Sequence, residues 1–168
     1  MKRIPLLFLL LTVALGAASC GAARRAVNTP PPATTTLECT QITGDGNFIV
    51  EVHGNGRNAD AATENALVYA VRGLLFEGIP GSTVNRIQSQ KPLVQDASVR
   101  VAKQEYFQNF FDSEEYRLYV ETLPNVFPRV VKVNGGYKVK VSVILKKQLL
   151  RKRLEKDGII KSLGSSFQ

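Results

Sequence analysis

Residues 48–53 alternate strictly: Phe48, Val50 and Val52 lie against Ile49, Glu51 and His53. That period of two predicts a half-buried strand. Gly54, Asn55 and Gly56 read as its end. Asn58 or Asp60 then caps a helix over 59–75, where Leu67, Ala70, Val71, Leu74 and Leu75 recur at three- and four-residue spacing. Asp60 and Glu64 suit the positive end of that helix. Gly78, Pro80 and Gly81 stop it, with Gly78 as the left-handed cap.

Residues 82–95 carry no decisive period. A short strand over 83–87 is one reading, and Pro92 breaks whatever precedes it. A second helix follows, because Val99, Lys103, Tyr106, Phe107, Phe110 and Phe111 return every three or four positions. Ser113 before Glu114 and Glu115 reads as a fresh N-cap with an acidic first turn. Tyr116, Tyr119, Val120 and Leu123 continue the apolar stripe, as one bent helix or two short ones.

Pro124 and Pro128 precede a hairpin. Val130, Val131 and Val133 run into Asn134-Gly135-Gly136, and Val139, Val141 and Val143 then alternate with Lys138, Lys140 and Ser142. Asn-Gly between alternating runs predicts a two-residue turn with both residues at positive φ. A last helix is expected over 146–156, with Leu149, Leu150 and Leu154 inward and Gly158 at its end. Ile159, Ile160, Leu163 and Phe167 suggest a tail that packs back. The elements together predict an α+β domain: an antiparallel sheet with two main helices on one face, plus a C-terminal basic helix.

The N-terminal segment changes the picture. Lys2 and Arg3 precede an almost uncharged apolar run over 6–16, and Ala17-Ala18-Ser19-Cys20 follows. The run is shorter than the roughly 20 apolar residues a spanning helix needs, and its order is that of a secretory signal. With a cysteine at the cut site it resembles the bacterial lipoprotein signal, although Ala17 stands where that signal usually carries Leu. The resemblance implies cleavage after residue 19, acylation of Cys20 and anchoring in a membrane through that lipid. Gly21, not being Asp, implies sorting to the outer membrane, with the domain facing the periplasm. Residues 20–38 read as the acylated cysteine and a tether, since Pro30, Pro31, Pro32, Thr34, Thr35 and Thr36 favour extended, solvated backbone. Residues 39–168 are then one domain.

Charge is uneven. Residues 40–128 hold 7 basic and 11 acidic residues, whereas residues 129–168 hold 11 basic and 2 acidic ones. In a cytoplasmic chain this would suggest nucleic acid; an export signal argues against that partner. Lipid head groups, lipopolysaccharide or an acidic protein are the remaining polyanions, and a merely solubilising face is the plainer reading. The densest run, Lys146, Lys147, Arg151, Lys152 and Arg153, is the candidate contact for a polyanion or protein partner. Cys39 is left alone once Cys20 is acylated, either buried and inert or open to an intermolecular disulfide. With one other potential ligand, His53, it makes no metal set, and nothing in the chain calls for a cofactor.

No catalytic constellation assembles. Gly54-Asn55-Gly56 lacks the third glycine of a dinucleotide loop and the Gly-Lys-Ser/Thr ending of a nucleotide loop, so it reads as a tight strand-to-helix turn. His53 has no serine or cysteine arranged with it. Glu114 and Glu115 are adjacent and point apart. The aromatic series from Tyr106 to Tyr119 reads as core before it reads as a ligand site.

Val52-His53-Gly54-Asn55-Gly56, the Ala-rich helix over 59–75 and the hairpin over 137–143 resemble a family of small bacterial envelope lipoproteins. Its α+β domain is like the N-terminal domain of a flagellar outer-membrane assembly protein. The resemblance implies a non-enzymatic accessory subunit that docks on a larger envelope assembly, and it assigns no functional residue. The alternative is a periplasmic ligand-binding module for glycan, lipid or peptidoglycan. An exposed apolar patch on the sheet favours the first, and a pocket beside the aromatic helix favours the second.

Overall fold

The computed structural model describes residues 37–162. The signal segment, Cys20, most of the tether, Leu163 and Phe167 lie outside the described residues. Strands β1 (Leu37–Ile42) and β2 (Phe48–Gly56) form a hairpin, followed by helix α1 (Ala59–Arg72) and one π-helical turn (Gly73–Glu77). Helices α2 (Ala97–Ala102) and α3 (Gln104–Asp112) lead through a 3-10 turn (Glu115–Tyr119) into strand β3 (Val120–Thr122). Strands β4 (Arg129–Val133) and β5 (Gly136–Leu145) form the second hairpin, and helix α4 (Lys147–Lys156) closes the described chain. The fold is α+β. Its antiparallel sheet has five strands in the order β1-β2-β5-β3, and β4 shares the far edge of β5 with β3.

The period-two pattern sets the register. Phe48 faces Leu145, Val50 faces Val143, Val52 faces Val141 and Gly54 faces Val139 across the β2–β5 ladder. The side chains of Phe48, Val50, Val52, Val139, Val141, Val143 and Leu145 are all buried on one face of the sheet, together with Cys39. The other face carries Glu51, His53 and Lys140, and Lys140 is ion-paired to Glu51. Burial places Cys39 in the core and pushes its thiol above the ordinary range, which settles its two readings in favour of the inert one.

Helix α1 lies on the apolar face through Ala62, Ala66, Leu67, Ala70 and Val71. Asn58 is the cap, its Oδ1 accepting from the Ala61 N–H at 2.7 Å. Strand β2 runs through the glycines rather than ending at them, and the reason is space. A side chain at Gly54 would strike the Ala62 carbonyl oxygen and lie 2.7 Å from the Ala66 nitrogen. One at Gly56 would strike the Ala62 nitrogen and lie 2.7 Å from the Ala61 carbonyl carbon. Paired with the alanines of α1, these glycines bring helix and sheet closer than any side chain allows.

Several local expectations change. The 82–95 segment forms a looped turn and not a strand: it carries the isolated bridges Ile79–Gln90 and Ser82–Ile87, and the Leu93 and Val94 N–H groups donate to the Leu74 and Leu75 carbonyls. The aromatic stripe breaks into α2 and α3 at Lys103, which lacks helical dihedrals. Ser113 ends α3 instead of capping a new helix, and Glu114 adopts a left-handed φ of 58°. The chain then turns through the 3-10 segment, so Val120 enters the sheet opposite Leu145. At the β4–β5 turn only Gly135 has positive φ, at 82°; Asn134 does not share it. At the far end, the Gly158 and Ile159 N–H groups bond back to the Glu155 and Leu154 carbonyls, and Ile159 is buried. Among the described residues, no helix is long and apolar enough to cross a membrane.

Candidate functional site

An exposed apolar stretch of the described residues is the approach to β4 and the strand itself. Phe127 is 90% exposed and Val131 58%, with Val126, Val130 and Val133 also exposed. The cause is topological. β4 pairs only with the first half of β5, and no described strand pairs its outer edge. An edge of this kind presents unpaired N–H and C=O groups ready for another strand. Its charge has one sign: Arg129 and Lys132 on β4, and Lys138 opposite Val131, form no ion pair among the described residues. The sequence places Phe127 between prolines just before a strand, but the hairpin reading used those prolines only as a boundary.

The five basic residues singled out near the C-terminus are spent differently. Lys146 pairs with Glu121 at 2.7 Å and Arg151 with Glu155 at 2.8 Å. Arg153 bridges Glu115 and Asp157, each at 2.5 Å. Lys147 donates to the Gln90 side-chain oxygen at 3.1 Å and sits over the Phe48 ring, where burial and neighbouring Arg151 lower its pKa. Lys152 alone among them is exposed, and it has no ion pair among the described residues. Leu150 and Leu154 pack inward, whereas Leu149 is half exposed. A polyanion at this face would have to displace protein carboxylates.

A cluster around Asp157 ties α3 to α4. The Tyr106 hydroxyl donates to Asp157 at 2.6 Å, on the same oxygen that accepts from Arg153. Tyr106 first and then Arg153 hold the Asp157 carboxyl below its ordinary range. Tyr106 moves the other way, raised by burial, by this hydrogen bond and by the carboxylate charge. On the opposite side of the 3-10 turn, Tyr116 donates to Glu64, which also pairs with Arg117 at 2.7 Å. Glu114 and Glu115 thus serve separate ion pairs, with Arg117 and Arg153.

The aromatic residues are mostly core. Phe110 stacks on Tyr119, and Phe76 and Phe107 meet edge to face at 4.9 Å. Phe107 and Phe111 also floor a cavity of about 220 Å³ that opens between the end of α1 and the α2–α3 pair. Arg72, on its inner wall, is 4% exposed. The sequence held a signal for this burial, because Arg72 stands four residues after Val68 on the apolar stripe. His53 lies on the outer sheet face, opposite Lys140 and away from the cavity. Comparison with family models, curated proteins and solved structures finds no match.

Proposed function

We propose that this chain is a non-enzymatic accessory lipoprotein of the bacterial cell envelope. Acylated Cys20 anchors it in the outer membrane, and the domain docks in the periplasm on another envelope protein through the β4 edge. The observation that carries the reading is β4 itself, an open edge whose five residues are all exposed, entered through a solvent-facing Phe127. Monomeric proteins blunt such edges with charge, bulges or cover. Here the charges present are basic and form no ion pair among the described residues, so the partner that fits is an extended acidic segment added as a further strand, with a pocket for Phe127. The apolar side chains supply the burial, and Arg129, Lys132 and Lys138 select the partner's sign.

Photo-crosslinking in intact cells tests this. Crosslinkers at Phe127 and Val131 should capture the same envelope protein through an acidic stretch of its sequence, and one at Leu118, exposed on the 3-10 turn, should not. Charge reversal by Arg129→Glu with Lys132→Glu should abolish capture, and Cys20→Ser should release the protein from the membrane fraction. Equal capture from Phe127 and Leu118, or capture that survives charge reversal, would overturn the docking assignment. Membrane retention of Cys20→Ser would overturn the anchor.

A further inference from the structure

The edge of the sheet opposite β4 has a different chemistry. β1 ends the sheet on that side, and it borders a groove of about 560 Å³ together with the turn over 82–90. Thr40, Gln41 and Ile42 come from the strand, and Asn85, Arg86 and Gln88 from the turn. None of the described residues that line the groove is acidic or aromatic. Its polar groups are amides, a hydroxyl and one guanidinium.

The frame of the groove is stiff. Ser82 and Ile87 exchange two backbone hydrogen bonds of 2.9 Å, Ile79 and Gln90 exchange two of 2.9 and 2.8 Å, and the Ser82 hydroxyl accepts from the Asn85 N–H at 3.2 Å. The Gln90 amide is held at both ends. Its oxygen accepts from Lys147 at 3.1 Å, and its nitrogen donates to the Gln88 carbonyl at 3.4 Å. On the strand side the β1–β2 register slips at Thr40, whose hydroxyl donates to the Ile49 carbonyl at 3.1 Å. A slip of this kind interrupts the even ladder of N–H and C=O groups that an added peptide strand requires.

The groups that face this frame are unspent. The Gln41, Asn85, Arg86 and Gln88 side chains are exposed and make no hydrogen bond or ion pair among the described residues. Arg86 has a φ of 55°, a conformation that suits Gly or Asn and disfavours a long side chain. Glu114, at a similar φ, is paired with Arg117. Arg86 has no such pair, so its backbone conformation is not offset by an ion pair of its own side chain.

We infer that the groove binds a short uncharged oligosaccharide through the side chains of Gln41, Asn85, Arg86 and Gln88. Each amide carries two donors and an acceptor, and each sugar hydroxyl both donates and accepts, so neighbouring hydroxyls can serve amides from the two sides. The Arg86 fork donates to sugar oxygens. Three amides against one screened cation favour a neutral ligand over an anion. The volume falls within the roughly 300–1,000 Å³ usual for small-molecule sites. With no aromatic ring to stack on, the affinity rests on hydrogen bonds that compete with water, and it is weak.

The test is titration of the isotope-labelled protein, followed by NMR, with four probes: cellotriose, triacetylchitotriose, an N-acetylated trialanine amide and inorganic phosphate. At least one trisaccharide should give saturable shifts centred on residues 40–42 and 85–90. Tighter binding of triacetylchitotriose identifies acetamido groups as part of the ligand, and equal binding identifies hydroxyls alone. The peptide and phosphate should each bind at least about tenfold more weakly, since neither offers paired hydroxyls to the amides. Arg86→Gly should weaken the sugar about tenfold while the melting temperature holds or rises, because glycine is at ease at that φ. Gln41→Ala, from the strand side, should weaken the sugar as well. Val84→Ala, exposed on the same turn but outside the groove, should not. No saturable shift with either trisaccharide, shifts centred on other residues, a peptide or phosphate that binds as well as the sugar, or unchanged binding by Arg86→Gly would each overturn the assignment. The groove and β4 lie at opposite edges of the sheet, so either site can fail without the other.

Discussion

Replacing Gly54 by Ala adds one methyl group at the tightest point of the fold. The methyl would meet the Ala62 carbonyl oxygen inside van der Waals contact, with the Ala66 nitrogen at 2.7 Å and the Ala66 methyl at 2.9 Å. Ordinary carbon-to-oxygen contacts begin near about 3.3 Å, so α1 must withdraw by on the order of 1 Å. The obstacle is helix backbone, so no rotamer change relieves it, and Ala66→Gly removes only the mildest of the three clashes. A gap of about 0.5–1 Å forfeits roughly a quarter to a half of each dispersion contact it opens. The interface affected includes Ala62, Ala66, Ala70 and Val71 against Val50, Val52, Val139 and Val141. Overpacking ordinarily costs about 1–3 kcal/mol, and a backbone obstacle puts Gly54→Ala at the upper end, about 3 kcal/mol.

Thermal and urea denaturation of the purified protein measure this directly. In a domain of this size about 3 kcal/mol corresponds to a fall in Tm of roughly 10 °C. Gly44→Ala is the control, because a methyl there meets nothing within 4 Å, and its Tm should stay within a degree or two of the parent. A Gly54→Ala protein that loses less than about 1 kcal/mol, with an unchanged urea m-value, would refute the close-approach account of the Gly-Asn-Gly sequence.

Two further outcomes follow from local geometry. Tyr106→Phe should cost about 1 kcal/mol near neutrality, a charged hydrogen bond discounted for its partial exposure. Asp157 sits below its unfolded value, so its contribution is present above about pH 4 and is lost as pH falls through the depressed value; Tyr106 sits above its own, so its contribution is present below about pH 10 and is lost as pH rises. Urea midpoints from pH 3 to 11 should therefore fall at both ends in the parent and fall less in Tyr106→Phe, and parallel profiles would contradict the assignment. Gly135→Val should cost about 1–2 kcal/mol from its φ of 82° alone, because a methyl there meets nothing; Gly135→Asn should recover most of it, and equal Tm values for the two variants would place the strain elsewhere.

Where periodicity decides structure, the sequence is readable. The alternation in β2 and β5 and the three-to-four spacing in α1 place nearly every residue of the sheet–helix core, because burying one face is what those periods do. The misread segments are those where side-chain period and backbone diverge. Tyr116, Tyr119 and Val120 are buried as a helical stripe would bury them, yet the chain turns at Glu114 and delivers Val120 to the sheet. Glycines mislead in the same way: Gly54 and Gly56 read as a strand end, but their role depends on alanines in the next helix. The sites were less legible still. An open strand edge is a property of pairing order, and Gln41 and Gln88 come to one groove only after the chain between them has folded.

The same logic explains why basic composition is a poor guide to the working surface. Residues 129–168 carry half of the basic residues of the chain, 11 of 22, and the densest run within them lies on α4. Yet Glu121 and Glu115 of the body take up Lys146 and Arg153, and Glu155 and Asp157 at the end of α4 itself take up Arg151 and, again, Arg153. Each pair is partly exposed and worth little alone, but together they turn that face toward its own fold. The charges left over include those on the β4–β5 hairpin, where Arg129, Lys132 and Lys138 form no ion pair among the described residues. On the docking proposal, an acidic partner that approached by diffusion would be drawn to the hairpin first, where the open edge lies.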